Sequence, residues 1–319
     1  MIKQVGKQVG FVEIAVDDTL AGERFDRALA RLLGSSVRGA RRLIEAGEAT
    51  LDAKSAAPGA ALRKGQHLAS PPAPTAEDQA PIAEPALPLC VVAETNALLV
   101  IDKLAGQPCH PLRPGERGTL ANALVARYPE LTAVGEFPRE AGLVNRIDND
   151  TSGLVLVART RAAWLSLRED SRGGLMRKRY LALIEGELAT GSEWQHIDVP
   201  LRHAGQRMRA DNAGQVAQSA WRSLVVGTGA SLIEVELRVG RHHQIRAHLA
   251  HIGHPLIGDL LYGGMLVGAR PGHLLHAWRL RLPEADRVNM LDVVAFPPND
   301  FVASAKRFSI DCREPRFED

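Results

Sequence analysis

Apolar residues recur at helical spacing in two stretches near the N-terminus. Over residues 22–33, GERFDRALARLL, Phe25, Ala28, Leu29 and Leu32 fall on one face, which predicts an amphipathic helix. Residues 36–46 predict a second helix, with Ser36 as N-cap and Gly47 after the last turn. Its Val37, Ala40, Leu43 and Ile44 share one face, while Arg38, Arg41 and Arg42 lie at i, i+3 and i+4 on another. Strand-like pieces follow at 48–52 and 62–65, with a turn through Pro58 and Gly59 between them. Farther along, 89–102 reads as two strands joined by a polar turn and 119–127 as a helix. Residues 154–158, LVLVA, read as a buried strand and 161–169 as a helix. Residues 179–185 and 231–239 alternate as strands, and 241–252 carries Ile245, Leu249 and Ile252 at helical spacing. Strands punctuated by separate helices, without a regular βαβ repeat, predict an α+β body. It is expected as a mixed, mainly antiparallel sheet with flanking helices, preceded by a small α/β module.

One stretch divides the two. Residues 71–88, PPAPTAEDQAPIAEPALP, hold six prolines, three acidic residues and no lysine or arginine. Proline removes donors and favours extended backbone, so this segment is expected to be a semi-rigid linker. The expected organisation is a module over 1–70, a linker over 71–88 and a body over 89–319.

Composition narrows the class. The chain has 319 residues, 45% hydrophobic but only 4% aromatic, so aliphatic side chains must fill its cores. No apolar run reaches the roughly 18 residues of a membrane span, and the N-terminus lacks the apolar block of a secretory signal. A cytoplasmic protein with no membrane attachment is therefore expected. Cys90, Cys109 and Cys312 are too few and too scattered for a disulfide framework or a CxxC zinc pair. The net charge of +2 excludes coating of a polyanion by bulk charge. Basic residues nevertheless crowd at 38–42, 168–179, 202–209 and 238–246. Such patches fit either local contacts to a polyanion or ordinary solvated helix faces.

Three stretches could carry chemistry. In GLVNRIDNDTSGLVLVART, residues 142–160, a strand ending in Arg-Ile-Asp runs into a polar loop and then a buried strand. Asp148 then sits at a partly dry edge and needs counter-charge or donors to stay ionised. Asp148 and Asp150 fit a general acid and base pair, or two carboxylates that merely tie a turn. In GRHHQIRAHLAHIGHPLIGDLLYG, residues 240–263, five of the chain's eleven histidines fall between His242 and His254. His243 and His248 are five apart, His248 and His251 three apart, and there is no HExxH, so no metal site is expected. A helix presenting Gln244, Arg246 and His248 is the better reading, with an arginine able to pair a buried carboxylate. In RKRYLALIEG, residues 177–186, Tyr180 opens an alternating strand, where it either packs in the core or stacks on a base.

Taken together and in order, these stretches resemble the signature of RluA-type RNA pseudouridine synthases. The segment 142–160 is similar to that family's Arg-Leu-Asp and Thr-Ser-Gly-Leu turn, RKRYLALIEG to its Lys-x-Tyr strand, and GRHHQIR to its Gly-Arg-x-His-Gln-Ile-Arg segment. LLVIDKLAGQPCHP, TLANALVARYP and LLHAWRLRL extend the likeness over residues 89–282. Residues 20–68 resemble the alpha-L RNA-binding module, although 52–55 lack the Asn-Gly turn usual there. The resemblance implies isomerisation of uridine to pseudouridine, with no cofactor and no metal. It places the catalytic aspartate at Asp148, the tyrosine at Tyr180 and the carboxylate-pairing arginine at Arg246. Arg146 falls where relatives fill the gap left by the extracted nucleotide. Lys178, Arg241 and Gln244, with Arg38, Arg41 and Arg42 of the small module, are the residues expected to contact RNA.

The implied partner is RNA: large-subunit ribosomal RNA, which goes with the accessory module, or transfer RNA. A monomer is expected. Asn145, Asn149 and Leu104 depart from the family pattern, at positions usually holding a histidine, a basic residue and a proline. Those departures keep open a non-catalytic RNA-binding or ribosome-assembly protein built on the same scaffold.

Overall fold

The computed structural model describes residues 11–35, 37–72, 80–267, 272–283 and 290–312. The chain divides into two compact units, residues 1–75 and 76–319. In the first, β1 (Val12–Ala15), α1 (Phe25–Leu32), α2 (Val37–Glu45), β2 (Thr50–Leu51) and β3 (His67–Ser70) follow in order. The strands form an antiparallel sheet in the order β1-β3-β2. Phe25, Leu29, Ala40, Ile44 and Leu68 pack together as its core, so the two amphipathic faces read from the sequence are the ones buried, except that Val37 at the start of α2 is exposed.

Two strand expectations shift here. The segment 62–65 is a loop, because Leu62 exchanges backbone hydrogen bonds with Gly22 and Glu23 ahead of α1 instead of joining the sheet. Of 48–52, only Thr50–Leu51 pairs. Ser36, expected as a cap, and the side chain of Arg38 lie outside the described residues.

The tight turn after β2 exists without Asn-Gly. Leu51 and Lys54 exchange both backbone bonds, and Asp52 and Ala53 take φ of 50° and 58°. Aspartate tolerates the left-handed region; alanine there is strained. Ala53→Gly is expected to raise the stability of this unit by about 0.5–1 kcal/mol. Amide exchange of the β2–β3 ladder in the full chain measures it, and an unchanged or lower protection contradicts the expectation.

The second unit begins before the body expected at residue 89. Glu84 accepts from the Gly118 amide at 2.6 Å, and the Asn122 side chain donates to the Ile82 carbonyl at 2.8 Å. The latter part of the proline-rich segment is therefore docked, because buried Asn122 and Glu84 satisfy each other's surroundings.

The unit then runs through β4 (Cys90–Glu94), β5 (Leu98–Lys103), α3 (Leu120–Arg127), β6 (Ser152–Ala158), α4 (Arg161–Arg172), β7 (Arg177–Glu185), β8 (Gln195–Ile197), β9 (Leu201–Ala204) and β10 (Arg207–Ala210). It closes with β11 (Ser219–Val226), β12 (Ala230–Leu237), α5 (Gln244–His251), β13 (Leu275–Pro283), β14 (Met290–Val294) and α6 (Asn299–Lys306). The large sheet has the order β4-β5-β6-β13-β7-β12-β11-β8, with β14 also on β13; β9 and β10 form a separate hairpin. All its pairs are antiparallel except β6 with β13. The architecture is α+β.

Strand β7 shows how the sheet is buried on both sides. Tyr180, Ala182 and Ile184 pack with Ile245 and Leu249 of α5, while Leu181 and Leu183 pack with Trp278 and with Phe301 of α6. This is the period-2 alternation of a strand buried on both faces. A third cluster joins α3, α4, β5 and β6. Gly153 permits the β6–β13 pairing: a Cβ there would collide with the Ala277 backbone, and its φ is +106°.

Three further elements differ from the sequence reading. Residues 143–148 form no strand beyond a single bridge, Leu143 to Val157. The Asn145 side chain takes the Leu156 amide at 2.8 Å, where a ladder would use a main-chain carbonyl, and the pairing ends. Helix α5 starts only at Gln244, because His243 ahead of it has φ +50°. The segment 296–319, without a readable element in the sequence, contains α6, whose Phe301, Val302 and Ala305 are buried; residues 313–319 lie outside the described residues.

Candidate active site

A cleft of about 740 Å³ opens where the segment 144–151, the start of β7, the end of β12 and the first turn of α5 converge. Asp148, Tyr180, Arg246, Arg146, Lys178, Arg241 and Gln244, far apart in the chain, all line it. Six lysine and arginine side chains face it against three carboxylates, so the whole cleft favours an anion.

The loop carrying Asp148 is held from beneath. Lys103, 1% exposed, donates to the carbonyls of Leu104, Gln107 and Asn149 at 2.8, 2.7 and 3.0 Å. Burial pushes its ammonium down to about 8. The Gly106 amide also reaches the Asn149 carbonyl, at 2.8 Å, and Cys109 Sγ lies 3.3 Å from that of Ile147. On the far side, Thr151 Oγ1 lies 2.7 Å from His273 Nε2. A loop tied at Ile147, Asn149 and Thr151 holds the carboxylate between them in one place.

Asp148 Oδ2 accepts from Arg246 Nη1 at 3.0 Å, across 98 residues of sequence. The rest of the guanidinium is committed as well. Nε and Nη2 donate to the two oxygens of Asp259 at 2.7 and 2.8 Å, a bidentate fork, and the Tyr262 ring lies 5.1 Å from its Cζ. Asp259 is 2% exposed, so Arg246 is fixed from behind and aimed at Asp148. Burial works against the charge of Arg246, yet its bonds to Asp259 and Asp148 hold it protonated well above the ordinary value.

Burial alone would push the Asp148 carboxyl up. The positive charges of His243 and Arg246 outweigh it and hold the carboxyl below the usual carboxylate value. His243 Nε2 stands 3.8 Å from Asp148, but burial drives that imidazole down to about 4, so at neutral pH the arginine carries the effect. His243 is also 3.1 Å from the Tyr262 hydroxyl, which accepts from the Met208 amide.

Tyr180 is 7% exposed on β7, paired with Val235 and Ala277. Burial, then the nearby Asp148 charge, pushes its hydroxyl up, so it is a neutral phenol throughout the physiological range. Asp150 shares the cleft wall but packs against Gly272, where any added Cβ would collide with it. The exposed Arg146 donates from Nη1 to His110 Nε2 at 3.2 Å. A guanidinium only donates, and burial drives His110 down to about 4, so that ring is neutral and accepts.

Not every expected contact reaches the cleft free. Gln244 is 2% exposed, and its amide accepts from the Arg241 N–H and donates to Gln218 O and Ser219 Oγ. A buried amide is satisfied mostly from within, so Gln244 fixes the start of α5 and both of its N–H donors are committed. Arg241 is exposed and reaches Val216 O at 3.4 Å. In the first unit, Arg41 is bound to buried Asp26 at 2.6 Å, a carboxylate that Arg24 grips too, whereas Arg42 is exposed.

The histidine-rich stretch disperses into separate roles. His248 bonds Ser219 and Val199, His254 bonds Glu185, and His242 stacks on His243 with ring centroids 3.8 Å apart. Among the described residues no group of three or more His, Cys, Asp or Glu could hold a metal. Asp259, Tyr262, Lys103 and His273 were missed as site residues. The first two lie in the GDLLYG stretch already singled out, but nothing local says that it folds back behind Arg246.

A carboxylate kept charged inside a basic cleft on an α+β sheet marks an enzyme that works on an anionic substrate. Residues 97–251 match the family described as RNA pseudouridylate synthase. Over 304 residues the chain is 36% identical to ribosomal large subunit pseudouridine synthase D of Nitrosomonas europaea, covering 92% of this chain and 86% of that protein. It is 38% identical over 258 residues to the protein of the same name from Xanthomonas campestris pv. campestris, covering 80% and 75%. In fold it is similar to human RNA pseudouridylate synthase domain containing 4, with a TM-score of 0.54 and 22% identity over 69% of this chain and 93% of that one. The chain belongs to the RluA-type RNA pseudouridine synthases, isomerases that act on RNA.

Proposed function

We propose that this enzyme converts specific uridines of large-subunit ribosomal RNA to pseudouridine, with Asp148 as its catalytic carboxylate. The observation that carries the reading is the Asp148–Arg246 pair of 3.0 Å inside the basic cleft. The names of the relatives at 36% and 38% identity support ribosomal RNA as the target.

The reaction breaks the bond from ribose C1′ to uracil N1, turns the detached base and joins C1′ to C5. The C5 proton is lost and N1 gains one, so no electrons or groups come from outside. Asp148 serves as the nucleophile at C1′ or as the base that opens a glycal route. Arg246 keeps it ionised while substrate excludes water. The Tyr180 ring offers a face on which uracil stacks while free of the sugar. The target must leave its helix, which costs a few kcal/mol, and phosphate contacts along the basic walls offset that cost. Arg146 stands at the mouth to occupy the vacated position.

The first unit is an alpha-L-like RNA-binding module over residues 1–70, joined through the proline-rich segment 71–88, whose latter part packs on the second unit, to a catalytic domain whose body is 89–319. On its α2 basic face, the exposed Arg42 and the outer nitrogens of the exposed Arg41 are available to RNA. The protein works as a monomer in the cytoplasm; among the described residues no helix is long and apolar enough to cross a membrane.

Purified protein incubated with unmodified large-subunit ribosomal RNA is expected to form pseudouridine at discrete positions, read by chemical mapping. Conversion confined to transfer RNA moves the target. Tight binding with no conversion of either RNA means a non-catalytic protein.

A further inference from the structure

Two buried lysines, one beneath the Asp148 loop and one in the cleft wall, have opposite surroundings. Lys103 gives its three protons to three carbonyls. Lys178 is 7% exposed and lines the cleft, and its ammonium has neither a hydrogen bond nor an ion pair among the described residues. Burial pushes it down to about 8 with no carboxylate to counter the effect. An ammonium whose stem is buried, whose tip opens only to the cleft and which has no carboxylate beside it is short of the counter-charge that an anion entering the cleft would bring.

The surroundings say which anion. Lys178 is two residues before Tyr180 on β7, so both side chains face the cleft, about 7 Å apart along the strand. That matches the span from a nucleobase to a phosphate of its own nucleotide. A Cβ on Gly240 would stand 4.0 Å from Lys178 Nζ, so bare backbone roofs the ammonium. Across the cleft, α4 contributes Arg168 and the exposed Arg172. Arg168 lies over the Trp164 ring, and its Nε–H is buried without a partner. Uracil is neutral and cannot offset a buried ammonium; the anion an RNA strand brings is phosphate.

We infer that Lys178, with Arg168 and Arg172, forms a seat for one backbone phosphate of the RNA strand adjoining the uridine that stacks on Tyr180. The seat rests on the proposed function. It assigns Lys178 to the phosphate and Tyr180 to the base, so that one strand of the sheet measures a single nucleotide.

The test uses the full chain and RNA fragments that it modifies. Lys178→Met is expected to weaken RNA binding about tenfold or more, to lower the salt slope by about one, and to raise KM rather than depress kcat. A single neutral methylphosphonate, with a 2′-deoxy sugar on its 5′ side, is then moved through the linkages around the target. At one linkage the wild type is expected to lose the same factor and Lys178→Met to lose nothing further. Independent losses at every linkage overturn the seat.

Stability of the free enzyme supplies a second readout. The folded value near 8 lies below the ordinary 10.5, so burial of Lys178 destabilises the fold below pH 8 and this relaxes as pH climbs toward 10.5. Lys178→Met is therefore expected to melt higher than wild type at pH 7, with the gap closing above pH 8. A lower melting temperature at pH 7 overturns the proposal, because it means that the ammonium had a partner. Wild-type turnover separates the two ideas: none at all sinks the functional reading, whereas normal turnover with independent losses sinks only the phosphate seat.

Discussion

Asp148→Asn is expected to lower pseudouridine formation by at least about 10⁴-fold while RNA affinity stays within about tenfold. The amide keeps the shape of the carboxylate, and its oxygen can still accept from Arg246 Nη1. What it lacks is the lone-pair basicity that either route requires. Affinity is spared because the cleft draws RNA through its lysine and arginine side chains, and one negative charge fewer near the phosphates does not oppose that. Single-turnover assays on saturating RNA, with a filter-binding titration beside them, read both quantities. Turnover within a hundredfold of wild type would remove Asp148 from the chemistry.

Arg246→Met is expected to cost activity and fold together. Asp259 is 2% exposed and receives two of the guanidinium's bonds, so the variant leaves a carboxylate buried without counter-charge. Stranding one partner of such a pair destabilises by about 3–5 kcal/mol, on the order of a 10 °C fall in melting temperature for a unit of this size. Asp148 loses its counter-charge too. Its carboxyl, held low in the wild type, moves up, so the acid limb of the activity profile shifts to higher pH. A second substitution separates the effects: Arg246→Met with Asp259→Asn recovers most of the melting temperature but not the turnover. Recovery of both would show that Arg246 acts only as a brace for Asp259.

The legible parts of this protein are those whose physics is local. The α1 and α2 faces, the β4–β5 hairpin and strands β6, β7 and β12 follow from periods of two and 3.6 residues, and each lies near its expected place. Where the expectations slipped, a long-range or side-chain bond had replaced the ladder. Asn145 takes the Leu156 amide and ends a strand; Leu62 bonds to Gly22 and Glu23 and never starts one. Positive φ at His243 delays α5 by a turn. The short strands β8 to β10 bury little apolar surface of their own, and α6 reads as charged surface until Phe301 is seen beneath the sheet.

The site divides along the same line. Asp148, Tyr180 and Arg246, the proposed catalytic residues, could be singled out from the sequence, because each sits in a short stretch with its own pattern. The roles of Lys103, Asp259 and Gln244 could not, since a buried polar group is defined by which distant atoms satisfy it. A chain of amino acids carries the chemical inventory and the local periods in its order. Only folding decides which ammonium is shared among three carbonyls, which is left facing the cleft, and which carboxylate braces the arginine, because those pairings depend on the dielectric and geometry of the packed interior.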